Sequence, residues 1–230
     1  MKREFALGDC SGPVGGVNPF DQLLESQPDF YPLYNGNIAG VAQTLPAINQ
    51  PTVVNSYRYD QLNRITASLI HQNNLPYTLP SYDTMDETFA YDGNGNITKS
   101  FRHGDFYAAP KDMDDLTYNY NHDANGHLLN NKLDHINDAI PFYPDNDTHD
   151  LYDQSANNYT YDAIGNLTAD EQSNISNINW SVYGKILGIS KTDGPDFTYT
   201  YYPDQKRATQ LWNGITTYYV RDAQGKTGGT

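Results

Sequence analysis

One segment of this sequence has the residue types and spacing of a calcium-binding loop. Asp92-Gly93-Asn94-Gly95-Asn96 places oxygen side chains at alternate positions, as the first half of such a loop does. The loop then needs a glycine and a late bidentate glutamate, but Ile97 and His103 occupy those positions. Calcium binding therefore remains an alternative, and turn chemistry is the favoured interpretation of these five residues.

Other polar groups allow a chemical and a plain interpretation. Asp145, Asp147, His149 and Asp150 could ligate a metal or could be solvated loop residues. Asp114-Asp115 could be an acid/base pair or the edge of a loop. We favour the loop interpretation for both and predict no catalytic residue, no metal and no cofactor. Asn-x-Ser/Thr sequons, which we interpret as coincidental, begin at Asn96, Asn146, Asn158, Asn166 and Asn174.

The composition excludes several classes of protein. The 230 residues include 14 Lys+Arg against 28 Asp+Glu, a formal charge of −14. Such an excess of anions argues against nucleic-acid binding and against docking on an anionic membrane. The single cysteine, Cys10, excludes an internal disulfide framework. No apolar run is long enough for a membrane helix, and the first residues lack the apolar stretch of a signal peptide.

The elements that must position these groups are indicated by a repeated phrase. Its cleanest copy is Tyr159-Thr160-Tyr161-Asp162-Ala163-Ile164-Gly165-Asn166-Leu167. About seven imperfect copies occur, and the loops between them vary in length. The signature residues that we predict to be structural are Tyr57, Tyr59, Asp60, Tyr91, Asp92, Gly95, Tyr118, Tyr120, Gly126, Tyr159, Tyr161, Asp162, Gly165, Tyr201, Asp222 and Gly225.

The physics of one copy predicts a β-hairpin. Tyr159 and Tyr161 lie two apart, so in a strand both rings share a face. Asp162 can accept hydrogen bonds from backbone amides further on and so open a turn. Gly165 stands where a hairpin commonly needs positive φ, and Asn63 takes that place in the first copy. With 20 Tyr and 18 Gly, the chain is typical of short strands and tight turns.

Some segments depart from the phrase. Residues 34–38 and 180–186 look like half copies, and 129–140 has a weak helical amphipathicity. Tyr202 and Gln205 replace the aspartate and the glycine of one copy, which predicts a different turn geometry there. Loops are expected at 73–88, 103–115 and 141–158. Residues 1–33 are expected to be an irregular lead-in, and 34–230 the repeat region.

The pattern Tyr-x-Tyr-Asp-x-x-Gly-Asn/Arg-Leu/Ile resembles the YD repeat of RHS (rearrangement hotspot) proteins. Similar repeats occur in the B and C components of insecticidal toxin complexes and in teneurins. The resemblance implies an all-β fold in which consecutive hairpins of YD repeats form a curved, open β-strip. In the family that strip encloses a C-terminal cargo, usually a toxin. A core domain and a cargo are not found in this sequence, so the chain would be a wall segment.

The function implied by the resemblance is structural. The chain is expected to be a non-enzymatic part of an exported or cell-surface protein, with the rest of that protein or its cargo as partner. Unpaired edge strands should make the isolated chain prone to associate. The alternative is a carbohydrate-binding or adhesion module, in which exposed tyrosines stack on sugars.

Overall fold

The computed structural model describes residues 31–43, 52–73, 85–104, 112–140 and 151–221. None of these residues is in a helix, so the prediction of an all-β chain of consecutive hairpins is confirmed. Within these ranges there is accordingly no helix that could cross a membrane. The strands are β1 (Gly40–Gln43), β2 (Thr52–Tyr59), β3 (Ile65–Asn73), β4 (Glu87–Tyr91), β5 (Ile97–His103), β6 (Asp112–His122), β7 (Leu128–Asp138), β8 (Tyr159–Tyr161), β9 (Leu167–Asp170), β10 (Ile175–Trp180), β11 (Ile186–Lys191), β12 (Phe197–Tyr201), β13 (Arg207–Trp212) and β14 (Ile215–Tyr218).

The strands form two antiparallel sheets in which every strand pairs with its neighbour in sequence. One sheet has the order β1-β2-β3-β4-β5-β6-β7, and the other has the order β14-β13-β12-β11-β10-β9-β8. The order is linear, so neither sheet closes on itself. The chain also divides into two compact units, whose boundaries differ from those of the two sheets. The first unit comprises Met1–Thr117 and Asn137–Asp153, and the second comprises Tyr118–Ile136 and Gln154–Thr230. The long hairpin β6–β7 therefore contributes residues to both units.

The second sheet carries an apolar row that runs across five strands. Ile178 pairs with Ile189, Ile189 with Phe197, Phe197 with Trp212, and Trp212 with Ile215. The Phe197 and Trp212 rings stack with centroids 5.9 Å apart. Because directly opposite residues share a face, these side chains stabilise the sheet by cross-strand contact. Only Ile178 of the row is fully buried, at 7% exposure.

Segment 129–140 is a strand as far as Asp138 and contains no helix, which corrects the sequence interpretation. Burial alternates along β7, where Asp134 and Ile136 are buried and His135 between them is half-buried. That two-residue period matches a strand with one covered face. The weak helical periodicity is overridden because pairing with β6 satisfies the backbone of the segment.

The expected loops are shorter than predicted. Strand β3 continues to Asn73, β4 begins at Glu87 and β6 begins at Asp112, all inside segments expected to be loops. Residues 151–158 are irregular, as expected, but they are tightly bound to β7. Gln154 N donates to Ile136 O (2.9 Å) and Gln154 Oε1 accepts from Ile136 N (2.9 Å), so one residue pairs as a strand neighbour would.

Asp134 fixes the next part of this loop. Its carboxylate accepts hydrogen bonds from Asn157 N (2.9 Å), the His135 ring (2.7 Å) and Asn121 Nδ2 (3.2 Å). Burial favours the neutral acid, but these bonds together outweigh it and lower the pKa of Asp134. The boundary between a lead-in at 1–33 and a repeat region at 34–230 stays a prediction, since residues 1–30 lie outside the described ranges.

Candidate functional site: the Tyr-Asp turn and the joint between hairpins

The aspartate of the repeat organises its turn through one carboxylate. In the cleanest copy, Asp162 Oδ1 accepts from Ile164 N (3.0 Å) and from Asn166 N (2.9 Å). Asp162 Oδ2 accepts from Asn166 Nδ2 at 2.9 Å. The backbone closes the same turn, because Gly165 N donates to Asp162 O (3.2 Å) and Asp162 N to Asn166 O (2.9 Å). Gly165 has φ 98°, a left-handed conformation in which glycine is favoured.

Equivalent turns recur along both sheets. The aspartate carboxylate accepts two downstream amides at Asp60, at Asp92 and at Asp123. The position three residues later has positive φ in every case, as at Asn63 (61°) and at Gly126 (82°).

Two turns depart from the expectation drawn from their sequence. Gln205 has φ 62° and Tyr202 N donates to Lys206 O (2.9 Å), so the turn without aspartate or glycine keeps the common backbone. The expectation of a different geometry there is wrong, because the backbone bonds of the other turns are kept and the Asp204 carboxylate accepts from Lys206 N (3.1 Å). Segment 180–186 is a full turn between β10 and β11, in which Ser181 Oγ accepts from Lys185 N (3.0 Å).

The hydrogen bonds lower the pKa of the turn aspartates. At Asp60 the backbone N–H of Arg64 is the largest cause, and the Arg64 side chain adds to it. At Asp162 desolvation acts in the opposite direction, but the bonds from the side chain and backbone of Asn166 outweigh it. Each carboxylate is therefore held ionised as an acceptor.

In the segment with the calcium-loop pattern, the Asp92 carboxylate already accepts hydrogen bonds from its own turn. Asp92 Oδ1 accepts from Asn94 N (2.9 Å) and Asn96 N (2.8 Å), and Asp92 Oδ2 from Asn96 Nδ2 (2.7 Å). Residues 92–96 thus have the same turn as Asp162, where no calcium pattern exists. Among the described residues no group of three or more His, Cys, Asp or Glu side chains is placed to hold a metal. The cluster at 145–150 lies outside those residues, as does Cys10.

The prediction that Asp114-Asp115 edges a loop is wrong. Both lie on β6, and Asp114 is 1% exposed. Its carboxylate pairs with Arg102 of the neighbouring strand, and Asp115 pairs with Lys99 (2.9 Å). Cross-strand cations thus compensate both charges, and without Arg102 the buried charge of Asp114 would be left uncompensated.

A contact that the sequence did not indicate joins successive hairpins. In five copies the second aromatic donates a hydrogen bond from its ring hydroxyl or ring N–H to a backbone carbonyl of the preceding copy, whereas the Tyr219 hydroxyl donates to Gln210 Oε1 (3.1 Å). The donor and acceptor pairs are Tyr59 with Ile38 (2.9 Å), Tyr91 with Ile65 (2.7 Å), Tyr161 with Leu133 (2.9 Å), Trp180 with Leu167 (2.7 Å) and Tyr201 with Ile186 (2.7 Å). We call this bond the joint.

The joint explains a pattern visible in the residue types. The second aromatic position is Tyr or Trp, and both side chains carry a polar hydrogen. Trp180 shows that the donor matters more than the phenol, because its indole N–H makes the same bond. In one copy the first aromatic position is occupied by Phe89, whose side chain has no hydrogen-bond donor. This difference between the two positions is the signal from which the joint could have been predicted.

A cation reinforces two of the joints. Arg64 precedes the acceptor Ile65, lies 4.6 Å from the centre of the Tyr91 ring and donates to Asp92 O (3.0 Å). Lys132 precedes the acceptor Leu133, lies 5.6 Å from the centre of the Tyr161 ring and donates to Asp162 O (3.0 Å). One basic side chain thus binds the ring and the turn of the next hairpin.

The structure places most of the predicted signature on these turns and joints. Tyr57, Tyr118 and Tyr159 occupy the first aromatic position, and Tyr120 occupies the second on β6. The Tyr159 hydroxyl accepts from Gln154 Nε2 (2.9 Å). Asp222 and Gly225 lie outside the described residues.

The described sequon asparagines use their amides within the fold. The Nδ2 atoms of Asn96 and Asn166 bond to their turn aspartates, that of Asn158 to Asp170 (2.9 Å) and that of Asn174 to Asp193 (2.9 Å). Asn158 is 2% exposed. These bonds support the interpretation that the sequons are coincidental. Asn146 lies outside the described residues.

Comparison with known proteins gives a similarity of fold. No family model matches the chain, and no curated protein matches it. The solved structure of TcdB2-TccC3-Cdc42 is matched over 77% of this chain, at 13% identity and a TM-score of 0.45. A Photorhabdus luminescens Tc holotoxin pore with a TccC3 mutation is matched over 76%, at 16% identity and a TM-score of 0.42. The chain is thus similar, at low identity, to components of these toxin complexes. The chain spans about a tenth of the length of those chains.

Proposed function

We propose that this chain is a non-enzymatic structural module, a wall segment of an RHS-type shell that encloses a C-terminal toxin cargo in an exported bacterial protein. The observation that carries the proposal is the joint. Five second-position aromatics each donate to a carbonyl of the preceding hairpin. A contact that repeats with the hairpins lets one unit add beside the last, as the construction of a continuous wall requires.

The chemistry of the signature supports a structural role. The polar groups of the turn aspartates, of the second aromatics and of the cations beside them form hydrogen bonds with backbone groups of the same chain. A catalytic group needs a free position for a reacting atom, whereas these groups are held by hydrogen bonds. The formal charge of −14 keeps such an extended surface soluble.

Protease protection of the cargo tests the proposal. Two forms of the longer protein to which this wall segment is proposed to belong would be expressed. One is unaltered, and the other carries Trp180→Phe with Tyr201→Phe, which remove two joints. A wall predicts that the cargo of the unaltered protein resists limited proteolysis and that the double variant exposes it. Tyr199→Phe on the same strand is the matched control. Equal cleavage of the cargo in all three proteins would contradict a wall function.

The carbohydrate-binding alternative has one observation in its favour. Tyr183 is 69% exposed and Tyr202 is 46% exposed. Tyr183 lies in the turn between β10 and β11 and Tyr202 in the turn between β12 and β13, so both turns are at the same end of the strands of the second sheet. Turns that are two strands apart are separated by about 10 Å, a spacing that an oligosaccharide can bridge. Specific binding on a glycan array, lost in Tyr183→Ala with Tyr202→Ala, would favour this function. An array without binding would leave the wall as the proposed function.

A further inference from the structure

Asparagine is followed directly by glycine at four places in this sequence, all of them within the described residues. The pairs are Asn35-Gly36, Asn94-Gly95, Asn125-Gly126 and Asn213-Gly214. Such a pair is chemically reactive, because the glycine has no side chain to shield its backbone nitrogen from the side-chain amide of the asparagine. The reaction requires that this nitrogen and the asparagine Cγ atom can move together.

Two of the pairs lie in Tyr-Asp turns, and these turns hold the glycine nitrogen. Gly95 N donates to Asp92 O (3.2 Å), and Gly126 N donates to Asp123 O (3.0 Å). The backbone N–H of each asparagine is also bonded, to the carboxylate of the same aspartate (2.9 Å and 2.8 Å). The turn must therefore open before the glycine nitrogen of either pair can react.

A third pair is held from the side of the asparagine. Asn35 Oδ1 accepts from Asn37 N (3.1 Å), and Asn35 Nδ2 donates to Asn63 Oδ1 (3.0 Å). Because both ends of the side-chain amide are bonded, its carbon cannot turn toward Gly36 N without breaking these bonds.

The fourth pair forms the two-residue turn between β13 and β14, and neither of its reacting groups is held. Trp212 pairs with Ile215 directly across the turn, so these flanking residues make the bonds that close it. Gly214 N and the Asn213 side chain form no hydrogen bond with any residue that the structure describes. Both residues are exposed, so water reaches the turn.

The geometry points to Asn213 as a site of spontaneous deamidation, at which the turn between β13 and β14 changes covalently as the protein ages. Gly214 N gives its proton to hydroxide and bonds to Asn213 Cγ. The Cγ–Nδ2 bond breaks, and the leaving group takes up a proton and departs as ammonia. Water then opens the cyclic imide at one of its two carbonyls, which gives isoaspartate or aspartate. No atom is oxidised or reduced, and water is the only co-reactant.

The isoaspartate product should disturb the hairpin, whereas the aspartate product should not. Isoaspartate routes the main chain through the former side chain and so adds one methylene group to a turn whose length sets the register of its strands. The four strand pairs from Trp212 with Ile215 to Thr209 with Tyr218 should therefore loosen. This inference goes beyond the wall function, because it concerns the covalent stability of one turn, and its failure would leave the joints and the wall untouched.

Peptide mass mapping of the whole chain during incubation at mildly alkaline pH tests the site. At the other three pairs at least one hydrogen bond must break first, so Asn213 should lose ammonia at least about threefold faster than Asn35, Asn94 and Asn125. The same incubation in concentrated urea is the matched control. There all four pairs should react at comparable rates, because the turns that distinguish them are unfolded.

Amide hydrogen exchange on the incubated protein tests the effect on the hairpin. Tyr219 N donates to Ala208 O (2.9 Å), and this amide should lose protection in the fraction that contains isoaspartate. Asn213→Asp adds the same charge with an unaltered main chain and should keep the protection. Asn213→Gly also suits a two-residue turn and should keep the protection throughout the incubation.

Three results would overturn the inference. The first is an Asn213 that reacts no faster than Asn94 in the folded chain. The second is the same advantage for Asn213 in urea, which would assign the difference to the neighbouring residue types and not to the turn. The third is full protection of Tyr219 N in the isoaspartate fraction.

Discussion

Removing the hydroxyl of Tyr201 isolates the contribution of one joint. The Tyr201 hydroxyl donates to Ile186 O at 2.7 Å in a partly buried setting, and Tyr201→Phe deletes this bond while keeping the ring. A neutral hydrogen bond contributes about 0.5–1.5 kcal/mol net, and the carbonyl left behind recovers only part of its hydration. We expect the free energy of unfolding to fall by about 1 kcal/mol.

The matched control is Tyr199→Phe, two residues earlier on β12. Tyr199 contributes its ring, which is parallel to Phe197 with centroids 6.3 Å apart and lies 4.2 Å from the Arg207 guanidinium. Phenylalanine keeps both contacts, and the equivalent position of another copy is Phe89. The change in the free energy of unfolding should stay within about 0.5 kcal/mol.

Urea unfolding followed by tyrosine and tryptophan fluorescence measures both variants. A loss of about 1 kcal/mol lowers the midpoint by about 0.3–1 M at an unchanged slope. In a thermal scan it lowers Tm by about 2–4 °C. Equal losses in the two variants, or no loss in Tyr201→Phe, would refute the assignment of the joint as a stabilising contact.

Three further predictions concern the joint and the turn. Trp180→Phe should cost about 1 kcal/mol more than Trp180→Tyr in urea unfolding, because only tyrosine keeps a donor; equal costs would contradict the donor role. Gln205→Gly should stabilise the chain and Gly165→Ala should destabilise it, each by up to about 1 kcal/mol, because both positions have positive φ; the opposite signs in thermal unfolding would contradict this. The bond from Arg64 N lowers the pKa of Asp60 in the folded state, so its stabilisation is present above the unfolded pKa and is lost as pH falls through the folded value. At pH values below about 4, the urea concentration at the midpoint of unfolding should therefore decrease, and it should decrease less in Asp60→Asn. Identical pH profiles of the two proteins would exclude this cause.

Phrase repetition was enough to predict the hairpins and their turns. An aspartate followed three residues later by glycine or asparagine specifies a local turn, because every bond involved lies within five residues. The positive φ of Asn63 (61°) and Gly165 (98°) follows from residue type for that reason. The repeat pattern failed to predict the turn at Gln205, where Tyr202 replaces the aspartate but the backbone bonds are kept and Asp204 supplies a carboxylate that accepts from Lys206 N (3.1 Å).

Only the tertiary structure decided which groups meet across hairpins. Segment 129–140 became a strand because β6 lies beside it, and Asp114 was buried because Arg102 stands on the neighbouring strand to compensate its charge. The joint from Tyr161 to Leu133 spans 28 residues of sequence, so its acceptor is not specified by the residues around Tyr161. The hydrogen bonds within a turn depend on the order of residues along the chain. The partners of a ring hydroxyl or a buried carboxylate depend instead on which strands lie side by side.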